Sequence, residues 1–385
     1  MKNNKVLLAL FALLLIASML LTACGGGDTA TPEEAAPEEA APPESGEVQV
    51  GIVLPTKDEP RWIQDEAIFN EQLANADFTA EMLFSQSSSA TEKSNVEALI
   101  AKGMDVLIIC PHDGTAAAAA AQAAREAGVK VISYDRLILD TDAVDYYVTF
   151  DSIAVGEAQG QYLVDQVTGT GHPLYLYAGA ASDNNAFLFF EGAWNVLQPK
   201  IADGTFVIKN SSEAVALQDK PTLTRDEMSK IIGQVTTNWD FNTAKNLAEA
   251  NLTATTAADK GVVYILAPND GTSRSIADTF AADPDVTQYF VTGQDAEKAS
   301  IQYIIDGKQS MTVLKDVRTL VADALAAADA YLGGSSPAQT NSYNNNVIDV
   351  PAKPSVVVTV TQDNVQETIC DSGYVPDCSE FTGLE

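Results

Sequence analysis

Two distant stretches of the chain spell nearly the same unit. Residues 106–115 read Val-Leu-Ile-Ile-Cys-Pro-His-Asp-Gly-Thr, and residues 263–272 read Val-Tyr-Ile-Leu-Ala-Pro-Asn-Asp-Gly-Thr. Each is an apolar run of strand length ending in Pro-x-Asp-Gly-Thr, followed by a helical pattern and a second apolar run. The second runs end in Tyr134-Asp135-Arg136 and Gly293-Gln294-Asp295. Strand, helix and strand in that order call for a parallel sheet covered by helices. Two well-separated copies call for two similar lobes. The rest of the first half keeps the rhythm. Residues 48–54, 106–110, 129–134 and 146–150 read as strands, 62–74 and 116–127 as helices, with Gly128 at a helix C-cap. The fold class is α/β, with two Rossmann-like lobes. In open parallel sheets, ligands bind beyond the carboxyl ends of the strands, where both repeats place polar residues.

Length and composition agree. A chain of 385 residues, 46% hydrophobic, has ample material for two domains. The formal net charge of −31 repels phosphate backbones and excludes nucleic acid as a partner. His112 and His172 are the only histidines, too few for a His-rich metal centre or a Ser-His-Asp triad. No metal site, cofactor or catalytic residue is expected.

The N-terminus carries an address. Lys2 and Lys5 precede an apolar run at 6–19 that is short for a membrane span, and Leu21-Thr22-Ala23-Cys24 follows. This resembles the bacterial lipobox. It implies a signal peptide over 1–23, lipid attachment at Cys24 and a place on the outer face of the cytoplasmic membrane, facing the periplasmic side. Residues 24–47, rich in Pro, Ala and Glu and without Lys or Arg, read as a disordered acidic tether. Cys110 ends an apolar run and reads as a buried free thiol. Cys370 and Cys378 read as a local disulfide stapling the tail, as befits an exported protein.

Several stretches together resemble the periplasmic sugar-binding family of type I fold, its xylose-binding and multiple-sugar-binding members above all. They are Pro55-Thr56-Lys57 with Arg61-Trp62, Tyr134-Asp135-Arg136-Leu137-Ile138, residues 147–151, Ser182-Asp183-Asn184-Asn185-Ala186, Gly293-Gln294-Asp295-Ala296 and Lys315-Asp316. The resemblance implies lobes joined by a three-segment hinge. The N-terminal lobe would take 48–151 and 297–345, and the C-terminal lobe 152–296 and 346–385.

A pyranose offers weakly apolar C–H faces and a rim of hydroxyls, so its site needs aromatic plates within a ring of charged and amide groups. By resemblance, Trp62 and Trp239 are the plates. Arg61, Asp135, Arg136, Asn185, Asn269, Asp295 and Lys315 are the ring. One of Asn184 and Asn185 is free to cap the helix they open, and Asn185 is the one expected to face the sugar. His112 stands where Asn269 does in the second repeat and is a further candidate for the cleft. Asp113 and Asp270 precede Gly-Thr at helix starts, where turn formation or capping explains them. The stretch at 211–238 is longer and more polar than the family pattern, which blurs the alignment just before Trp239.

These residues imply a monomeric, non-enzymatic capture protein. It closes around a pentose or hexose of xylose, glucose, galactose or arabinose type and serves the permease and ATPase subunits of an ABC-type importer. One alternative is presentation of the sugar to a chemotaxis or sensor-kinase receptor. A carbohydrate-active enzyme using Asp135 and Asp295 is the other. It would need a carboxyl held protonated, and each of these two stands beside partners that keep it ionised.

Overall fold

The computed structural model describes residues 48–384. The signal segment, Cys24 and the tether lie outside the described residues. The apolar runs become strands buried on both faces. In β3 (Val106–Ile109), Val106 and Ile108 face one core while Leu107 and Ile109 face the other. The neighbouring strands are β1 (Val50–Leu54), β2 (Ala80–Phe84), β4 (Lys130–Tyr134) and β5 (Tyr146–Phe150). Together with β11 (Asn341–Asn344) and β12 (Asp349–Ser355) they form a seven-stranded sheet in the order β11-β12-β5-β4-β3-β1-β2. Every pair is parallel except β11 with β12.

A second, parallel sheet runs in the order β7-β6-β8-β9. Its strands are β6 (His172–Leu176), β7 (Phe206–Ile208), β8 (Gly261–Leu266) and β9 (Val286–Val291). The repeat maps onto equivalent places, β3 in one sheet and β8 in the other. A short antiparallel ribbon pairs β10 (Met311–Leu314) with β13 (Val358–Thr361).

Helices cover both sheets. In the first half these are α1 (Pro60–Leu73), α2 (Ser89–Ala101) and α3 (Ala118–Glu126). Pro60 opens α1, where its missing N–H costs nothing. Gly128 follows α3 with φ 85°, the left-handed turn that ends a helix. Then come α4 (Ser152–Gln166), α5 (Asn184–Ala202), α6 (Ser212–Ala216), α7 (Arg225–Val235), α8 (Phe241–Ala254), α9 (Asp270–Ala281), α10 (Lys298–Ile305) and α11 (Val317–Leu332).

The polar stretch at 211–238 folds into α6 and α7. Thr224 and Glu227 form a reciprocal capping box, and α7 buries Met228, Ile231, Ile232 and Val235 in the core that α5 also lines.

The chain leaves the large sheet after β5, and Asp151 caps α4 through the Ala154 N–H. The later passages fall further along than the expected 297 and 345. Residues 298–314 do not return to the first sheet. Instead α10 packs with Leu314, Val360 and the tail, and β10 buries Met311 and Val313 against Val155 and Phe189. The return comes at Lys315-Asp316, from which α11 runs across the large sheet and buries Val317, Leu320 and Val321. β12 pairs with β5 inside that sheet, so the last passage follows Ser355. The physical reason is apolar demand: 311–314 and 349–355 each carry side chains that need a core. Cys370 and Cys378 are joined in a disulfide within the tail, and Cys110 is a buried free thiol.

Candidate functional site

Asp135 and Asp295 follow the second strands of the two repeats. Both have positive φ, 60° and 102°, a backbone region costly for residues other than glycine. Hydrogen bonds hold each in place. The Asp135 carbonyl accepts from Tyr147 OH (2.8 Å), Asn185 Nδ2 (2.9 Å) and Thr149 Oγ1 (3.2 Å). The Asp295 N–H donates to the Val313 carbonyl at 2.9 Å, and its carbonyl accepts from Tyr374 OH at 3.3 Å.

Arg61, in the first turn of α1, joins the two. Its Nη2 lies 3.1 Å from Asp135 Oδ2 and its Nη1 3.4 Å from Asp295 Oδ1. Asp65, one turn further along α1, fixes the guanidinium through Nε (2.6 Å) and Nη2 (3.2 Å) and is itself held by Tyr134 OH at 2.6 Å. Lys315 Nζ reaches Asp295 Oδ1 at 2.8 Å. A chain of opposite charges therefore runs Asp135, Arg61, Asp295, Lys315 from one sheet to the other, each residue at most 4% exposed.

Arg136 binds Asp183 at 2.9 Å and Glu59 at 3.3 Å. The Trp62 ring has Arg61 and Arg136 guanidinium carbons 5.1 and 5.0 Å from its centroid. Trp239 lies 6.3 Å from Phe189, edge to face. Its seat depends on Gly179: a Cβ there would come within 2.0 Å of the Trp239 ring.

All the side chains expected to bind line one gap: Arg61, Trp62, Asp135, Arg136, Asn185, Trp239, Asn269, Asp295 and Lys315. The gap is nearly closed, with about 20 Å³ of free space between them. Glu59, Asp183, Phe189 and Gln294 also line it and were not foreseen. Signals for them existed. Asp183 and Gln294 sit inside the stretches that carry the resemblance, Glu59 stands two residues before Arg61, and Phe189 follows Asn185 by one helical turn.

Three local expectations change. The cap of α5 is Asp183, which accepts from the Asn185 N–H at 2.9 Å; Asn184 instead accepts from Arg225 Nη1 at 2.7 Å. Asn269 both caps α9 and lines the gap. Its Oδ1 is taken by Thr272 Oγ1 at 2.6 Å, which leaves its NH₂ to donate. Asp113 accepts from the Thr115 and Ala116 N–H groups, the turn role expected of it. Asp270 does something else: it accepts from the Glu297 N–H (2.9 Å) and Gln309 Nε2 (2.8 Å), bracing the loop that carries Asp295. His112 is not among the residues lining the gap.

Burial pulls the Asp135 carboxyl upward, but the Lys315, Arg61 and Arg136 charges outweigh it and hold the group below the usual carboxylate range. In Asp183 and Glu59 burial wins over the attraction of Arg136, and both carboxyls are raised. Ionised carboxylates, guanidinium, ammonium and amide groups around two indole rings suit a neutral, polyhydroxylated ring.

Known proteins agree with this geometry. Residues 50–336 match the periplasmic binding protein domain. The multiple sugar-binding periplasmic protein SbpA of Azospirillum brasilense is 35% identical, over 84% of this chain and 89% of its own. The D-xylose-binding periplasmic protein of Escherichia coli is 31% identical, over 85% and 91%. The crystal structure of a carbohydrate transporter solute binding protein from Chloroflexus aurantiacus, in complex with D-glucose, is 77% identical. It covers 88% of this chain and 99% of its own, with a TM-score of 0.86. With the fold, the paired repeats and the site all in place, the chain belongs to the family of periplasmic binding proteins.

Proposed function

We propose that this protein is the monosaccharide-capturing component of an ABC-type sugar importer and that the gap around Arg61 is its sugar site. One observation carries the reading: the Arg61 guanidinium contacts Asp135 of one repeat and Asp295 of the other, so a ligand there touches both halves. A ligand that contacts both halves favours the closed form, whereas one that contacts a single half shifts nothing. The lobes comprise 48–151 with 317–355, and 152–314 with 358–384. Trp62 and Trp239 take the sugar faces. The charged residues and Asn185 and Asn269 take its hydroxyls.

D-Glucose is the first sugar to test, because the 77% identical relative was solved with it. Xylose comes second. The protein works as a monomer held to the outer face of the cytoplasmic membrane by lipid on Cys24. As a general acid Asp135 is poorly suited, since its neighbours keep it ionised.

Calorimetry with D-glucose, xylose, galactose and arabinose tests the reading. At least one sugar should bind, and Asp295→Ala should weaken it by about 100-fold or more, the cost of losing a buried charge-assisted partner. Absence of binding by all four, or unchanged binding by the variant, would refute the site.

A further inference from the structure

A second cavity adjoins the sugar site. Glu59, Arg61, Trp239 and Asn269 line both, so these side chains stand between the two spaces. Its volume is about 450 Å³, within the roughly 300–1,000 Å³ of small-molecule sites. Asp58 and Ser87 line it from the segments around α1 and β2, and Phe241 and Asn242 from the start of α8. Both halves of the molecule therefore contribute, as they do to the inner gap.

The chemistry of this vestibule repeats that of the inner site in a wetter form. Phe241 is 45% exposed and stands two residues after Trp239. Exposed carboxylate and amide groups, Asp58 and Asn242, lie around it. An aromatic face beside hydroxyl-binding groups is what a sugar ring needs. The two arginines in its wall are already paired, Arg61 with Asp65, Asp135 and Asp295, and Arg274 with Glu297 at 2.7 Å. An anionic sugar would meet carboxylates without an uncommitted cation, so the ligand is neutral.

We propose that the vestibule is a second sugar subsite, so that the protein accepts neutral disaccharides with one ring in the inner gap and the other against Phe241. The proposal rests on the inner gap being a monosaccharide site. It extends the substrate class from single sugars to short oligosaccharides.

Calorimetry on the mature protein with D-glucose, cellobiose and maltose tests it, with Phe241→Ala and Asn242→Ala as variants. Both side chains are exposed, and Phe241 is tied to Ser275 Oγ through its backbone carbonyl (2.8 Å), so neither change removes core. At least one disaccharide should bind within about tenfold of glucose. Phe241→Ala should weaken it about fivefold and leave glucose within about twofold. Glucose binding without either disaccharide overturns the second subsite alone. So does disaccharide binding that neither variant weakens, or an equal loss for glucose and disaccharide. Failure of D-glucose, xylose, galactose and arabinose all to bind brings down the monosaccharide reading and this one with it.

Discussion

The residues that matter most here are buried charges with partners, and Glu92 shows what an imperfectly compensated one does. It is fully buried on α2, and its Oε2 accepts from the His112 N–H at 2.7 Å. Burial pushes its carboxyl up from 4.5 to about 7, against the pull of that hydrogen bond and of Arg136; Asp113 adds to the rise. Between these values the folded protein keeps a proton that the unfolded chain has released. The stability Glu92 contributes therefore falls as pH rises through that window and stays low above it. Glu92→Gln keeps an acceptor for His112 without the charge. It should stabilise the protein by on the order of 2 kcal/mol near pH 8 and by almost nothing near pH 4. Thermal unfolding at both pH values checks the sign; a variant less stable at pH 8 contradicts it. Nothing in the sequence marks Glu92, because its burial depends on how α2 packs against β1 and β2. The residues lining the gap were legible for the opposite reason. Asp135 and Asp295 end strands in a repeated unit, and the stretches around them resemble a family. Asp65 and Gly179 support the site from behind and carry no motif.

At the scale of elements, the two helices that carry the lower wall of the site touch backbone to backbone. A Cβ on Gly156 of α4 would meet the Phe189 carbonyl oxygen at 1.9 Å, and one on Gly192 of α5 would meet the Ile153 carbonyl oxygen at 2.2 Å. Asn185 and Phe189 ride on α5, and Ser152 at the start of α4 lies 3.3 Å from Asn185 Oδ1. Gly156→Ala must part the helices, at about 1–3 kcal/mol of overpacking, and moves Asn185 away from Asp135. The variant should unfold at lower temperature and bind sugar more weakly, whereas Gly204→Ala, on a surface turn with open space around it, should leave affinity alone. Equal affinities would show that the helix contact does not set the site. Legibility at this scale followed burial. β3 and β8 are continuous apolar runs and stand out. β12 reads Asp-Val-Pro-Ala-Lys-Pro-Ser, with two prolines that ordinarily argue against an interior strand, and the resemblance implied a crossing at 345–346, just ahead of what is a paired strand. β2 is half-buried throughout and offers no clean alternation.

For the whole molecule, the number of passages between the sheets matters more than their position, because three strands of chain allow a hinge and resist sliding. Arg61 bridges the ends of the two sheets. Its contacts with Asp135 and Asp295 join residues separated by 74 and 234 positions in sequence, a pairing that no local pattern reveals. Removing the guanidinium leaves three carboxylates, Asp65, Asp135 and Asp295, with Lys315 still bound to Asp295, in a poorly solvated gap, and the excess negative charge favours separation of the halves. Arg61→Met keeps most of the side-chain volume beside Trp62 while removing the charge. In small-angle scattering the unaltered protein should become more compact when D-glucose is added. Arg61→Met should start more extended and stay so at the same sugar concentration, with its melting still cooperative. A variant as compact as its parent without sugar would mean that Arg61 only braces α1, and that closure is driven from elsewhere in the gap.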